Sequence, residues 1–279
     1  MKARALVIDL FAEYVRHRDA QATALTITRL AEPFGVAEPT TRVTISRMRK
    51  EGWLESRHEG RLSYYAATEK LTALIEGSQN RILERRAWEW DGLWDMVVYT
   101  IPEASRLRRD HLRSKLEWLG YGQFAPSCWM TPHRRNTEVS RSLDPIHRFE
   151  PDEIELLQVT SGGDERDRSI ADRCWRLDEL QRDYRDFAAR KQARLRDLET
   201  GSISDADAFV ERVLLVAEYR KFPFRDPELP AALLPDDWVG GSAHSTFLEL
   251  REALRVPAFR HYDTSTADGR AAPRSLPIS

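Results

Sequence analysis

Hydrophobic residues recur at helical spacing from the start of the chain. Within residues 3–16, Leu6, Leu10, Phe11 and Tyr14 form one stripe and predict an amphipathic helix. A polar loop, RDAQATA, follows. Residues 25–27 predict a short strand, with Thr28 as the cap of a second helix over residues 29–34. Pro33 keeps that helix short and Gly35 ends it. A third helix starts near Glu38, with Pro39 in its first turn, where a missing N–H is least harmful. Thr41, Thr44, Ile45 and Met48 fall on one face. Arg42, Val43, Ser46, Arg47 and Lys50 fall on another. Gly52 closes the helix, and WLESR and LSYYA predict two strands turning at Gly60.

Three helices and a hairpin within residues 1–68 describe a winged helix-turn-helix domain. Residues 69–90 predict a helical connector with a seam of Leu71, Leu74, Ile75 and Ile82, weakened at Gly77 and Ser78. The stretch LWDMVVYTI is β-branched and aromatic and predicts a buried strand. A helix ending at Gly120, short strands GQFA and SCWMT, a partial helix broken at Pro145, and the strand EIELLQVT follow. Their β-α-β-β-α-β order over residues 91–163 is that of a ferredoxin-like domain. Residues 167–262 predict a C-terminal helical domain. It comprises one long helix over 170–198 with Leu177, Leu180, Tyr184 and Phe187 on one edge, then helices over 205–220 and 242–254. A polar tail, 263–279, reads as disordered. The fold class expected is therefore α+β and multidomain.

Composition changes this picture little. The 279 residues are 41% hydrophobic and 32% charged, enough for buried cores under a well-solvated surface. No run approaches the roughly 18 apolar residues of a membrane span. Two cysteines, Cys128 and Cys174, make neither a disulfide framework nor a zinc set, which suits a reducing cytoplasm. A net charge of −2 excludes a uniformly basic nucleic-acid binder but not a locally basic one.

The third helix is where basic residues gather. Hydroxyls and guanidinium groups bond phosphates and base edges, so Thr40, Arg42, Val43, Ser46, Arg47, Arg49 and Lys50 are the candidate DNA-contacting residues. Arg57 and Arg61 near the hairpin tip join them. Val43 offers a methyl contact to thymine.

Two further groups suggest an anionic ligand. Trp129, His133, Arg134 and Arg135 converge past a strand end, and Tyr219, Arg220 and Lys221 precede a proline-rich connector. Such arginines could hold coenzyme A phosphates, with Trp129 stacking on an aromatic group. The competing reading puts Trp129 in the core and pairs the arginines with acids such as Glu138. No His or Cys pair has metal-ligand spacing, and no phosphate-binding glycine loop is present, so no metal, catalytic residue or cofactor is expected.

The segments LAEPFGVAEPTTRVTISRMRKEGWLESR, DGLWDMVVYTIPEASRLRRDHLRSKLEWLGYGQFAPSCWMTPH, CWRLDELQRDYRDF and RDPELPAALLPDDW occur here in the order seen in PaaX-type transcriptional repressors. The resemblance spans roughly residues 1–260. It implies a repressor of aromatic-acid catabolism, often of phenylacetate. It further implies a homodimer on palindromic operator DNA, released by an aryl-acetyl coenzyme A thioester such as phenylacetyl-CoA. The middle segment also resembles the small CRISPR-associated ferredoxin-like nucleases. Those carry an acidic metal ligand directly after the tyrosine that ends the first strand, whereas here Tyr99 is followed by Thr100. The rival classes are a metal-dependent nuclease or thioesterase on this middle segment, using Asp91 or Asp95, and a protein-interaction module. Ordinary strand-end solvation is the expectation for both aspartates.

Overall fold

The computed structural model describes residues 1–60, 62–84, 88–142 and 153–267. Arg61, the end of the expected connector at 85–87, the Pro145 break and residues 268–279 of the expected tail lie outside them. The chain runs through α1 (Ala3–Glu13), β1 (Gln21–Thr23), α2 (Ala24–Ala31), α3 (Glu38–Lys50), β2 (Leu54–Glu59), β3 (Leu62–Ala67) and α4 (Glu69–Leu83). Then come β4 (Trp94–Tyr99), α5 (Arg106–Trp118), β5 (Gly122–Ala125), β6 (Cys128–Thr131), α6 (Asn136–Ser142) and β7 (Ile154–Val159). The chain continues with α7 (Asp164–Cys174), α8 (Leu177–Thr200), α9 (Asp205–Tyr219), α10 (Gly240–Ala253) and α11 (Arg255–Thr266). The class is α+β, with two antiparallel sheets among the described residues.

Local differences from the expected elements have physical causes. The short strand lies at Gln21–Thr23, and Thr23 is the N-cap of α2, its hydroxyl accepting from the Thr26 N–H at 3.1 Å. Thr28, the expected cap, is buried inside the helix instead. Pro33 sits in a 3-10 turn, Glu32–Phe34, which Gly35 ends at φ 73°. Helix α4 stops at Leu83, short of the expected 90. The expected single helix over 170–198 is two, because Trp175 takes an extended conformation and lays its ring 6.3 Å from that of Trp94. The expected tail begins as helix: α11 runs to Thr266, and Pro257 falls in its first turn, where it interrupts no intrahelical bond.

Two compact units result, and they cut across the segment 167–262. The first collects Met1–Glu84, Ala188–Lys221 and His244–Ser279; the second collects Arg85–Phe187 and Phe222–Ala243. In the first, α1, α2 and α3 pack on one another beside a sheet of order β1-β3-β2, and α9 and α11 close over α1 and α2. Leu6, Leu10, Phe11 and Tyr14 are all buried. The Tyr14 ring meets Phe209 at 4.9 Å, Phe259 at 5.0 Å and Tyr262 at 5.4 Å, so the core of α1 is shared with α9 and α11, far along the chain.

The same face of α1 carries two carboxylates, Asp9 and Glu13, at i and i+4, and both are buried. Glu13 is met by Arg212 (2.8 Å) and by Arg251 (3.0 Å), and Asp9 pairs with Arg220. Burial pushes the Asp9 carboxyl from 3.8 to about 7; Arg220 opposes that rise and Glu13 adds to it.

In the second unit the sheet order is β5-β6-β4-β7. Alternation along β4 sends Val97 and Tyr99 into a core with Leu112, Leu116, Trp129 and Val139. Trp94 and Met96 go to the opposite core, with Met130, Ile170 and Leu233. At Gly122 an added Cβ would stand 2.5 Å from Cys174 Cβ, so β5 and α7 approach as closely as they do only because this residue is glycine. Asp95 is 1% exposed. It accepts from the backbone N–H groups of Arg135 (2.7 Å) and Asn136 (2.8 Å) and from Gln158 Nε2 (3.1 Å), and it thereby tethers the start of α6. The expectation of strand-end solvation is corrected for Asp95, because the sheet pairing on both sides of β4 encloses it.

Three outcomes follow from these buried charges. Glu13→Ala strands two guanidinium groups and should cost about 3–5 kcal/mol in denaturant unfolding. Asp95→Ala removes three hydrogen bonds to a charged acceptor and should cost about 3 kcal/mol. Folded Asp9 releases its proton near pH 7, against 3.8 for an ordinary aspartate, so stability is lost as pH rises through that window. The stability of Asp9→Asn relative to wild type should therefore increase between pH 4 and 7, measured by thermal unfolding; a gap that does not move with pH would refute the assignment.

Candidate nucleic-acid interface

Helix α3 has two faces of different chemistry. Thr41, Ile45 and Met48 are buried against α1 and α2. Thr40, Arg42, Val43, Ser46, Arg47, Arg49 and Lys50 are all exposed, and Val43 reaches 59%. Glu38 in the first turn and Arg47, Arg49 and Lys50 in the last complement the helix dipole. Thr44, half-buried, turns its hydroxyl onto the Thr40 carbonyl at 2.8 Å, so it is not an outward donor.

Most of the positive charge on this face is uncommitted. Arg47, Arg49 and Lys50 have no side-chain partner among the described residues. Arg42 donates to Glu38 at 2.7 Å, one turn back, with both side chains about half exposed. A solvated i,i+4 pair of this kind is worth only about 0.3–0.5 kcal/mol, so a phosphate displaces it readily. Arg57 on β2 contacts Glu59 at 3.1 Å and Gln21 at 3.4 Å, again on the exposed surface. Its expected companion, Arg61, falls outside the described residues.

The hairpin is fixed at its base. Gly52 takes φ 72°, and the Thr68 hydroxyl bonds the Gly52 carbonyl at 2.8 Å. Trp53 is flanked by the Arg4 guanidinium at 5.2 Å and the Lys70 ammonium at 4.0 Å. These contacts hold the direction in which β2 and β3 leave α3.

The two expected ligand groups do not form open sites. Trp129 is 2% exposed and lies inside the core, so it is not available for stacking on a ligand; this corrects the expectation. Arg134 pairs with Asp91 and Arg135 with Glu138 (3.0 Å), so both guanidinium groups are already engaged. His133 Nε2 lies 2.9 Å from the Pro227 carbonyl, and burial holds its pKa below the ordinary value. Tyr219 is buried and stacks on Phe247 at 4.0 Å, and Arg220 is drawn to Asp9, which leaves Lys221 alone exposed. Cover on both faces of β6 and helical periodicity on α9 both allow this outcome, but neither names the partner.

The enzyme reading loses its carboxylates in the same way. Asp95 is spent on backbone N–H groups, and Arg134 holds the Asp91 carboxyl below the usual range. No cluster of three metal-ligating side chains occurs among the described residues. No described helix is long and apolar enough to cross a membrane.

Comparison with known proteins gives matches along nearly the whole chain. Residues 2–71 match the model of PaaX-like proteins, residues 87–171 that of the PaaX central Cas2-like domain, and residues 175–264 that of the PaaX-like C-terminal domain. The chain is 28% identical over 283 aligned residues to the transcriptional repressor PaaX of Escherichia coli (strain K12), covering 98% of this chain and 87% of that one. The fold is shared with Rv0674, an uncharacterized protein from Mycobacterium tuberculosis, at TM-score 0.61 and 22% identity over 92% of this chain and 96% of the other. With all three parts matched in order along nearly the whole chain, this protein belongs to the PaaX family of transcriptional repressors.

Proposed function

We propose that this chain is a cytoplasmic, ligand-responsive repressor that reads duplex DNA with α3. The first three helices and the β2–β3 hairpin act as a winged helix-turn-helix. Helix α3 enters the major groove, and Arg57 on β2 reaches a neighbouring phosphate. Arg42 and Arg47 contact base edges or phosphates, Ser46 and Thr40 anchor the backbone, and Val43 meets a thymine methyl. The second unit, with its β-α-β-β-α-β order, is a ferredoxin-like scaffold without catalytic work. The observation that carries this reading is the outward face of α3, where arginine, lysine and hydroxyl groups stand exposed and mostly unpaired.

One such helix covers only a few base pairs. A homodimer places two of them on one side of the duplex, about 34–36 Å or a multiple of that apart. The controlled genes, on this reading, serve aromatic-acid catabolism, and an aryl-acetyl coenzyme A thioester relieves repression. That effector acts by stabilising a dimer geometry whose half-site spacing no longer fits the operator.

Mobility shift on the DNA upstream of the protein's own gene tests the reader. Arg42→Ala with Arg47→Ala should weaken binding by at least about tenfold. If both side chains hold phosphates, the slope of log affinity against log salt should fall by about 1.8. Unchanged affinity and slope would remove α3 from the interface.

A further inference from the structure

The first unit contains a cavity of about 510 Å³ between the turn after α1 and helices α9, α10 and α11. Its wall carries Arg18, Arg212, Arg251, Arg255 and Arg260 around the ring of Phe259. Asp263 is the only carboxylate among the described lining residues. The volume is that of a small-molecule site, and the lining is unusually cationic for one. From this geometry we infer that the cavity binds a small molecule carrying two or more phosphate groups. The inference deepens the reading of the chain as a ligand-responsive regulator, and rests on it for the meaning of the ligand.

The floor is rigid and the rim is exchangeable. Arg212, 2% exposed, and Arg251 are oriented from beneath by Glu13, itself buried. Arg212 Nη1 lies 2.8 Å from Glu13 Oε2, so the floor guanidinium is already held by an ion pair. The cavity wall brings five arginines against one lining carboxylate, an excess of positive charge that suits an incoming anion. The Arg18 and Arg212 guanidinium groups also lie 4.5 Å and 5.6 Å from the Phe259 ring, which restrains them.

At the rim, Arg18 pairs with Asp263, Arg255 with Glu252 and Arg260 with Asp205. All six side chains are about one third or more exposed. Such surface pairs contribute at most about 1 kcal/mol each, so exchange of a carboxylate for a phosphate costs little. Guanidinium groups bind phosphate oxygens in pairs, and several of them converging on one cavity select a polyanion over a single carboxylate. Glu13 belongs to α1, which packs on α3, so occupancy at the floor alters the charge balance directly behind the proposed DNA reader.

Isothermal titration with inorganic pyrophosphate and with tripolyphosphate decides the matter. Wild type should bind with one saturable site, and tripolyphosphate should bind more tightly. Arg255→Ala with Arg260→Ala, both exposed and outside the buried ion cluster, should weaken that site at least tenfold while the thermal unfolding temperature stays close to wild type. Absence of saturable binding, or equal binding by the variant, overturns the inference. Loss of upstream-DNA affinity in the same variant would assign the cavity to the DNA backbone and overturn it as well. Failure of the α3 reading is seen separately, since Arg42→Ala with Arg47→Ala leaves the cavity intact and its pyrophosphate isotherm unchanged.

Discussion

Two carboxylates on α1 need cationic partners, and the first unit is arranged around meeting that need. Asp9 and Glu13 lie on a helix face that also carries core residues, so burying the stripe buries the charges. An isolated ionised carboxylate in such surroundings costs several kcal/mol, which close guanidinium groups offset and which protonation avoids, as at Asp9 below about pH 7. Arg212, Arg220 and Arg251 supply the guanidinium groups from positions about 200 to 240 residues later in the chain. The N-terminal helices therefore cannot complete their core alone, and α9, α10 and α11 are part of the same folded body. Paired burial of this kind specifies which surfaces meet more than it adds to net stability, because desolvation consumes much of the Coulomb gain.

With its inner side held in this way, α3 is free to present its outer side. The helix is not strongly apolar, and three buried residues, Thr41, Ile45 and Met48, suffice to seat it. Its remaining residues face water with hydroxyl, methyl and guanidinium groups at successive positions. A chain with net charge −2 can thus carry a local cationic surface, because Arg42, Arg47, Arg49 and Lys50 gather on one exposed face. Bulk charge says little about a nucleic-acid surface when the basic residues are clustered and the acids lie elsewhere.

The second unit shows how one carboxylate changes meaning with its surroundings. Asp95 stands on a central strand among residues that resemble a nuclease scaffold, yet backbone N–H groups and Gln158 occupy it. Trp129 follows the same logic: its place on β6 turns the ring into the core with Leu112 and Leu116, away from any ligand.

The two faces of α3, the hairpin behind Gly52 and the β-α-β-β-α-β order of the middle segment were all legible in the sequence, since each depends on periodicity along a single element. The start of α2 and the break between α7 and α8 were not, because Thr23 and Trp175 act through a cap and a ring contact that compete with helical pattern. Least legible was the arginine-lined cavity. Arg212, Arg251, Arg255 and Arg260 each look like residues of a solvated helix face, and nothing local marks them as neighbours of Arg18. Periodicity states which side of a helix avoids water; which distant charge then lies opposite is settled only when the helices pack, because that pairing depends on the meeting of surfaces far apart in the chain.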